Sequence, residues 1–383
     1  MTQAMKNVRV LDLTDSVAGQ FCTRLMADHG ADVVLVEPPG GSVTRSLPTS
    51  GNTNRKGEAS SLFWHLNTTK KSITLDWAKP EGFRLLAALC HTADVLMVGR
   101  GVARNSLKEG NKGLITCLVS DFGESGPYSN WHGAEIVHQA LSGTMFVTGH
   151  PDKRPLYGFG RRSYYACGVS AYIAVLAALY HRHVDGQGQD VEVSVFESAA
   201  AMGQNFATQF AYNGTYPLRG RYPSPLAVLP CRDGWVVLFA LRRWPAVCAA
   251  FGAEELRDDP RFATLSERTK NWDQACALLQ EKARQISADQ LVAEGQKGKA
   301  SISKVMDPGS LLACRHLEER KFWERVRTEQ GQRMALGPVF RMSATPRQEL
   351  QPAPSAGQHN SGIYAALGVT PSNLAELERI GAI

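Results

Sequence analysis

Short runs of apolar residues, separated by segments with helical spacing, fill the first half of the chain. Residues 8–13 form a first β-branched run, a helical pattern follows over about 19–29, and 32–37 is an almost continuous apolar run. A strand that is apolar on both faces is typical of a parallel sheet covered by helices, and a strand–helix–strand unit implies a right-handed crossover. Further strands are predicted, in chain order, at 72–76, 94–98, 114–120 and 191–195. This alternation predicts an α/β domain with a doubly wound sheet.

A change in composition predicts a second, smaller domain further along the chain. The segment 213–225 is rich in Gly, Pro and Arg, as expected of a linker. Two short strands are predicted between 229 and 240, and helical, charged sequence fills about 243–325. The last sixty residues are predicted to be loops with one terminal helix over 371–380.

Composition and charge limit the kinds of molecule that the protein is expected to bind. The 383 residues are 43% hydrophobic, and 42 Lys plus Arg against 36 Asp plus Glu leave a net charge of +6. This mild, dispersed charge suits an anionic small ligand and gives no reason to expect a nucleic-acid partner. The eight cysteines include no CxxC pair and the N-terminus shows no signal peptide, so we expect a cytoplasmic protein without a metal. The uncharged stretch 163–180 is interpreted as a buried or interface helix, without a membrane partner.

Several common cofactor and catalytic motifs are missing from the sequence. The segment after the first strand offers only Gly19 where a dinucleotide fingerprint needs three glycines, so neither a nicotinamide nor a flavin cofactor is expected. The P-loop, G-x-S-x-G and H-E-x-x-H patterns are also missing. Lys70 and Arg100, with their neighbours Lys71 and Arg104, flank predicted strands and would suit a phosphorylated ligand. The alternative is that each is a solvated surface charge.

Motifs spread from residue 7 to residue 383 resemble one family. They are Asp12–Thr14, Val17–Gly19 with Phe21, Gly30–Val33, Val36–Gly41, Asn67 with Lys70–Ser72, Pro80–Gly82, Gly123 with Gly126–Tyr128, Gln139–Gly143, Leu176–Leu179, Gly186–Gln189, Val191–Ser194 and Pro352–Pro354 with Gly357–His359. In this order they resemble the family III CoA-transferases, the formyl-CoA and carnitine CoA-transferase family, which also contains acyl-CoA racemases. The resemblance extends to the non-catalytic subunit of a heteromer of the benzylsuccinate CoA-transferase type.

The resemblance implies an architecture that the pattern of apolar residues cannot show. A Rossmann-like large domain would be built from both chain ends, with the smaller domain inserted and two subunits interlocked as a dimer. The implied boundaries are 1–212 for the N-terminal part of the large domain, 213–225 for the linker, 226–329 for the small domain and 330–383 for the return to the large domain.

The resemblance also implies coenzyme A, carried as an acyl-CoA, as the substrate together with a carboxylic acid. The residues that match the family's CoA-contacting positions are Val17, Ala18, Lys70, Arg100 and Arg104. Two of the contact loops depart from the family's pattern. Residues 98–101 are Val-Gly-Arg-Gly, and Pro38 stands where some members carry an Arg.

The main departure concerns the nucleophile. Family transferases place an Asp four residues before the glycine that corresponds to Gly168, and here that position is Tyr164. Residues 153–184 contain no Asp or Glu. A phenol with a pKa near 10 is mostly protonated at neutral pH and cannot form a thioester with CoA. Glu135 is the nearest candidate carboxylate, and Ser163 would give an ester rather than an anhydride.

Three hypotheses follow. The chain is a subunit of a CoA-transferase that lacks its own nucleophile and pairs with a homologous catalytic subunit. Alternatively, it is a self-sufficient homodimeric transferase, or an acyl-CoA lyase or hydrolase, that uses another residue such as Glu135. A third possibility is a non-enzymatic CoA-binding partner. Aromatic residues are candidates for an apolar acyl pocket, with core packing as the alternative: Tyr157, Phe159, Tyr164, Tyr165 and Tyr222.

Overall fold

The chain divides into two compact units. A computed structural model describes residues 3–47, 59–202, 206–219, 225–328, 331–337 and 339–383. The first unit comprises Met1–Thr148, Pro155–Gly214 and Lys321–Ile383, and the second comprises Gly149–Arg154 and Thr215–Arg320. The first unit therefore takes segments from both ends of the chain. Residues 220–224 of the predicted linker and the predicted boundary at 329–330 lie outside the described residues.

A six-stranded parallel sheet forms the centre of the first unit. Its strands are β1 (Arg9–Asp12), β2 (Asp32–Glu37), β3 (Lys71–Thr74), β4 (Val95–Val98), β5 (Ile115–Ser120) and β6 (Asp190–Ser194). Their order is β3-β2-β1-β4-β5-β6, and every neighbouring pair is parallel. This is the doubly wound order, in which the chain turns back between β1 and β4. The predicted α/β class is confirmed.

Apolar residues of the strands and of several helices form two core clusters in this unit. The helices of this part of the chain are α1 (Val17–Asp28), α2 (Ser61–Asn67), α3 (Pro80–Cys90), α4 (Arg104–Leu107), α5 (Glu135–Leu141), α6 (Thr144–Val147), α7 (Arg162–Asp185), α8 (Val195–Ala201) and α9 (Phe206–Asn213). The side chain of Ser16 caps α1 by accepting a hydrogen bond from the amide of Gly19. Gly30, with φ of +100°, reverses the chain after α1 in a conformation that favours glycine.

Helix α7 packs against α1. Its buried residues fall at helical spacing, from Ser163 through Gly168 to Ala178. A Cβ on Gly168 would come within 2.7 Å of the carbonyl oxygen of Ala18, so glycine permits the close approach of the two helices. Over the described residues, α7 is the one helix with the length and apolar composition of a membrane span, although part of it is buried in the fold.

The second unit is a small α+β arrangement. Its antiparallel strands β7 (Leu226–Cys231), β8 (Gly234–Phe239) and β9 (Ser301–Lys304) form a three-stranded sheet. Its helices are α10 (Trp244–Phe251), α11 (Leu265–Lys270), α12 (Trp272–Ala283), α13 (Ala288–Lys297), α14 (Pro308–Leu312) and α15 (Arg315–Glu319). Strand β9 lies inside the segment that the sequence pattern predicts to be helical throughout. Its four residues are too short a run to stand out from the charged helices on either side.

The C-terminal segment carries more regular structure than predicted. A hairpin of β10 (Trp323–Thr328) and β11 (Gly331–Leu336) precedes two helices, α16 (Asn360–Ala366) and α17 (Pro371–Arg379). Only α17 is anticipated by the sequence pattern. The segment is fixed to β3, because the hydroxyl of Tyr364 donates to the carbonyl oxygen of Thr74 at 2.7 Å and the amide of His359 donates to that of Ser72 at 2.9 Å.

Candidate active site

A cavity of about 420 Å³ opens at the carboxyl ends of four strands of the large sheet. Ser16 follows β1, Arg100 follows β4, Asp121 follows β5 and Val195 follows β6. Crevices outside the carboxyl ends of parallel strands, near the point where the strand order reverses, are where such sheets bind ligands. The cavity is lined by Ser16, Arg100, Val119, Ser120, Asp121, Phe122, Asn130, Trp131, His132, Tyr164 and Val195.

Tyr164, which the family resemblance matches to the nucleophile position, lies in the wall of this cavity. It is the third residue of α7. Burial raises the pKa of the Tyr164 phenol well above its ordinary value, and the carboxylates of Asp121 and Glu135 raise it further. The cavity therefore contains a neutral hydroxyl at this point.

Asp121 places a carboxylate in the same cavity. Its Oδ1 lies 3.1 Å from Nε2 of His138, and its Oδ2 accepts a hydrogen bond from the amide of Gly133 at 2.8 Å. Burial raises the pKa of Asp121, but the hydrogen bonds from His138 and Gly133 outweigh burial and hold that pKa below its ordinary value. With 30% of its side chain exposed, Asp121 is an ionised carboxylate that a ligand can reach.

Gly133 makes room for this pairing. A Cβ at this position would come within 2.3 Å of Nε2 of His138 and 2.6 Å of Cγ of Asp121. Any larger residue would push the imidazole and the carboxylate apart. The contact is therefore built into the backbone of the loop between β5 and α5.

Glu135, the candidate carboxylate from the sequence, is buried and holds the start of α7. Its Oε1 accepts hydrogen bonds from the Ser163 amide and hydroxyl, both at 3.0 Å, and from Nε2 of Gln139 at 2.7 Å. Its Oε2 lies 3.2 Å from the Ser163 amide. These contacts cap the N-terminus of α7 with a negative charge. Glu135 and Ser163 are hydrogen-bonded to each other, and neither is among the residues that line the cavity.

The two predicted arginines differ in position. Arg100 lines the cavity and donates one hydrogen bond to Oδ1 of Asn130 at 3.3 Å, which leaves other donors of its guanidinium for a ligand. Arg104 begins α4 and forms an ion pair with Glu124 outside the cavity lining. The structure thus brings Arg100 together with Tyr164 and leaves Arg104 apart.

Lys70 lies in the interior, behind α1. Its Nζ donates to Oγ1 of Thr23 at 2.7 Å, to Oδ1 of Asn67 at 2.8 Å and to the carbonyl oxygen of Gln20 at 2.9 Å, with Oδ2 of Asp12 at 3.3 Å. Burial lowers the pKa of Lys70 to about 8, against the opposing pull of the Asp12 carboxylate. An ammonium has three donors, so none is free for a phosphate in this arrangement.

Val17 and Ala18 are the first two residues of α1 and are buried. They follow Ser16, which lines the cavity. Their side chains face the core, so what they could offer a ligand is the backbone amide at the start of a helix.

Sequence reasoning missed Asp121, its partners His138 and Gly133, and the aromatic lining. The signal for Asp121 was present, because it is the first residue after the predicted strand 114–120. His138 carried no comparable signal, since a contact between residues 17 positions apart depends on the loop between them. Of the aromatic residues proposed for an acyl pocket, Tyr164 is among the lining residues, and Tyr222 lies outside the described residues.

All eight cysteines are free thiols. Within the described ranges, no group of three or more His, Cys, Asp or Glu side chains is arranged to hold a metal ion.

This chain belongs to CoA-transferase family III, whose family model matches residues 5–360. It is 32% identical over 394 residues to the succinyl-CoA–D-citramalate CoA-transferase of Chloroflexus aurantiacus, covering 98% of this chain and 96% of the relative. It is 27% identical over 414 residues to the succinyl-CoA:(R)-benzylsuccinate CoA-transferase subunit BbsE of Thauera aromatica, covering 100% and 99% of the two chains. A solved structure of a CAIB/BAIF family protein from Brucella suis superposes with a TM-score of 0.89 at 27% identity, covering 96% of this chain and all of the other.

Proposed function

We propose that this chain is one subunit of a CoA-transferase that moves CoA from an acyl-CoA to a carboxylic acid, and that a homologous subunit supplies the nucleophile. The single observation that carries the proposal is Tyr164, a neutral phenol in the wall of a cavity at the carboxyl end of the sheet. Exchange of a thioester needs a carboxylate, because the acyl adducts of a carboxylate are close in energy to the thioester itself.

The outer face of α7 supports a partner subunit. Five large apolar side chains on it are exposed, three or four residues apart: Val169, Ile173, Leu176, Tyr180 and Val184. A continuous apolar stripe on a 24-residue helix is typical of an interface rather than of a solvated surface. The relative from Thauera aromatica, which is described as a subunit, also favours pairing over a lone chain. An interlocked dimer of two homologous chains is the arrangement we propose.

The experiment compares the chain alone with the chain mixed with a homologous chain that retains the Asp. Transfer of CoA from succinyl-CoA to a panel of carboxylic acids is measured for each. We expect activity only in the mixture, in a complex that contains both chains. Full activity of the isolated chain contradicts the proposal. If both preparations bind CoA and neither transfers it, the result would favour the third hypothesis, a non-enzymatic CoA-binding partner.

A second candidate function, the self-sufficient transferase, draws its support from Asp121. Its carboxylate is ionised and lies in the same cavity as Tyr164, whereas Glu135 is engaged with Ser163. In this alternative an oxygen of Asp121 attacks the thioester carbonyl, the C–S bond breaks, and an anhydride and CoA thiolate form. The thiolate then attacks the aspartyl carbonyl, which releases the donor acid and leaves an aspartyl-CoA thioester. The acceptor acid attacks this thioester to form a second anhydride and free CoA thiolate. The thiolate finally attacks the acceptor's carbonyl, which gives the new acyl-CoA and frees Asp121. Hydroxylamine added during turnover would convert the Asp121 adduct to a hydroxamate that mass spectrometry detects.

A further inference from the structure

Aromatic rings form a continuous cluster beside and within the cavity wall. Tyr128 and Trp131 stack with ring centroids 4.2 Å apart, and Phe122 meets both edge-on at 6.0 and 6.1 Å. Phe122 also lies 5.2 Å from His138, whose ring is 5.5 Å from Tyr164. Three of these residues line the cavity directly: Phe122, Trp131 and Tyr164.

Trp131 differs from the other rings in its exposure. Half of its surface is exposed even though it stacks on Tyr128, whereas Phe122 is buried. Exposed apolar area of this kind is unfavourable relative to burial. A ligand that covers the indole recovers that free energy, and an aromatic ligand also gains the geometry of ring–ring contacts.

The polar groups of the lining are partly engaged already. Asp121 accepts hydrogen bonds from His138 and Gly133, and Arg100 donates to Asn130. They are fixed points that orient a ligand, and Arg100 keeps donors for a carbonyl or carboxylate oxygen. A concave site with a few polar groups on an aromatic wall is the usual form of a small-molecule pocket.

The volume exceeds the needs of a one- or two-carbon acyl group. A cavity of roughly 150 Å³ already holds a benzene ring in an engineered protein, and this one measures about 420 Å³. The volume therefore leaves room for a ring with a short linker to the thioester.

We propose that this cavity takes an acyl group that carries an aromatic ring, and that Trp131 is the specificity-determining residue. The inference rests on the proposed function, which supplies the CoA thioester to which the acyl group is attached.

The test is calorimetric titration of the full chain with four compounds: CoA, acetyl-CoA, cyclohexylacetyl-CoA and phenylacetyl-CoA. The cyclohexyl compound matches the size of the phenyl compound without its π-system. We expect phenylacetyl-CoA to bind about 2- to 10-fold more tightly than cyclohexylacetyl-CoA, because ring–ring contacts add to the area buried. Trp131→Ala removes this preference, while Trp131→Phe keeps part of it.

Trp235→Ala is the matched control. This tryptophan lies on β8 in the second unit and has 52% of its surface exposed, close to the 50% of Trp131. Its removal leaves the phenyl preference intact. Equal affinities for the phenyl and cyclohexyl compounds, or a preference that survives Trp131→Ala, overturn the inference. Failure of CoA itself to bind instead contradicts the proposed function, so the two failures are distinguishable.

Discussion

Nε2 of His138 lies 3.1 Å from Oδ1 of Asp121, so a buried imidazole holds a carboxylate that faces the cavity. The Nδ1 atom of His138 is buried and has no hydrogen-bond partner among the described residues, so Asp121 is the partner that fixes this ring. The contact assigns the imidazole proton to Nε2, because an ionised carboxylate accepts and cannot donate. The cavity therefore contains one ionised carboxylate, Asp121, although we propose that the chain lacks a nucleophile. The predictions below test whether this carboxylate has a structural role.

Replacement of Asp121 tests the strength of this contact. We expect Asp121→Asn to lower the free energy of unfolding at pH 7 by about 1–3 kcal/mol, because the hydrogen bond with His138 loses the negative charge of its acceptor and the amide group cannot replace both carboxylate oxygens. Since the pKa of Asp121 is lowered in the folded state, its stabilisation is present above the unfolded pKa of about 4 and is lost as pH falls through the folded value. Urea unfolding between pH 2 and pH 7 measures both effects.

Gly133→Ala is the companion variant. Its Cβ would collide with both members of the pair, so we expect it to reproduce the loss of stability seen for Asp121→Asn. The two losses are expected not to add in the double variant, since both act on one contact. Identical pH profiles for Asp121→Asn and the unaltered chain would contradict the assignment.

Glu135 is expected to act through structure rather than through covalent chemistry. Removing a buried carboxylate that holds the Ser163 amide and hydroxyl leaves these donors unsatisfied, so Glu135→Ala is expected to cost about 2–4 kcal/mol of stability. Glu135→Gln keeps the acceptor oxygen and is expected to cost less. Chemical denaturation of both variants measures the difference. A variant at 135 that unfolds like the original chain but abolishes transfer by the mixture with a homologous chain would show that Glu135 has a chemical role instead.

Substitutions at Lys70 and Arg100 are expected to have different effects, the first on the stability of the fold and the second on CoA binding. Lys70→Met removes one partner of the buried pair with Asp12 and is expected to cost about 3–5 kcal/mol of stability. Arg100→Ala is expected to change stability by less than about 0.5 kcal/mol, because its side chain is on the surface, and to weaken CoA binding about 10-fold. Thermal unfolding and calorimetric titration of the two variants give the comparison. Weaker CoA binding by Lys70→Met with unchanged stability would instead favour the direct cofactor contact predicted from the sequence.

An acid introduced at position 164 is expected to interact with the charge of Asp121. Tyr164→Asp brings a second carboxylate to a cavity that already holds one, and neighbouring like charges raise the pKa of one of them. A raised folded pKa means that stability is lost as pH rises, so this variant is expected to weaken between about pH 4 and pH 7. Its combination with Asp121→Asn is expected to remove that loss. Melting temperatures across this pH range test the expectation, and parallel profiles for the single and double variants contradict it.

The fold of the first unit was largely predictable because its strands are buried on both faces. Continuous apolar runs such as Val33–Val36 and Val95–Val98 exclude a solvated sheet, and the helices between them fix the parallel order. The hairpin Trp323–Leu336 was not predictable in this way. Its residues include Glu324, Arg325 and Arg333, so it lacks the apolar alternation that marks a strand.

The candidate site was predictable only where one residue type decided the chemistry. Tyr164 could be singled out from the sequence, because a phenol cannot replace an acid in thioester exchange, and it lies in the cavity wall. The burial of Lys70 could not, since a lysine before a strand resembles a surface cation until its four acceptors are placed around it. The role of Asp121 could not be predicted either, because it depends on contacts with His138 and Gly133 that form only when the loop is folded.

The most direct measurement is to locate the acyl adduct. The proposed complex of this chain with a homologous chain that retains the Asp would be mixed with succinyl-CoA, treated with hydroxylamine during turnover, and digested for mass spectrometry. The account predicts a hydroxamate on a carboxylate of the partner and none on any Asp or Glu of this chain. A hydroxamate on this chain, at Asp121 above all, would contradict it.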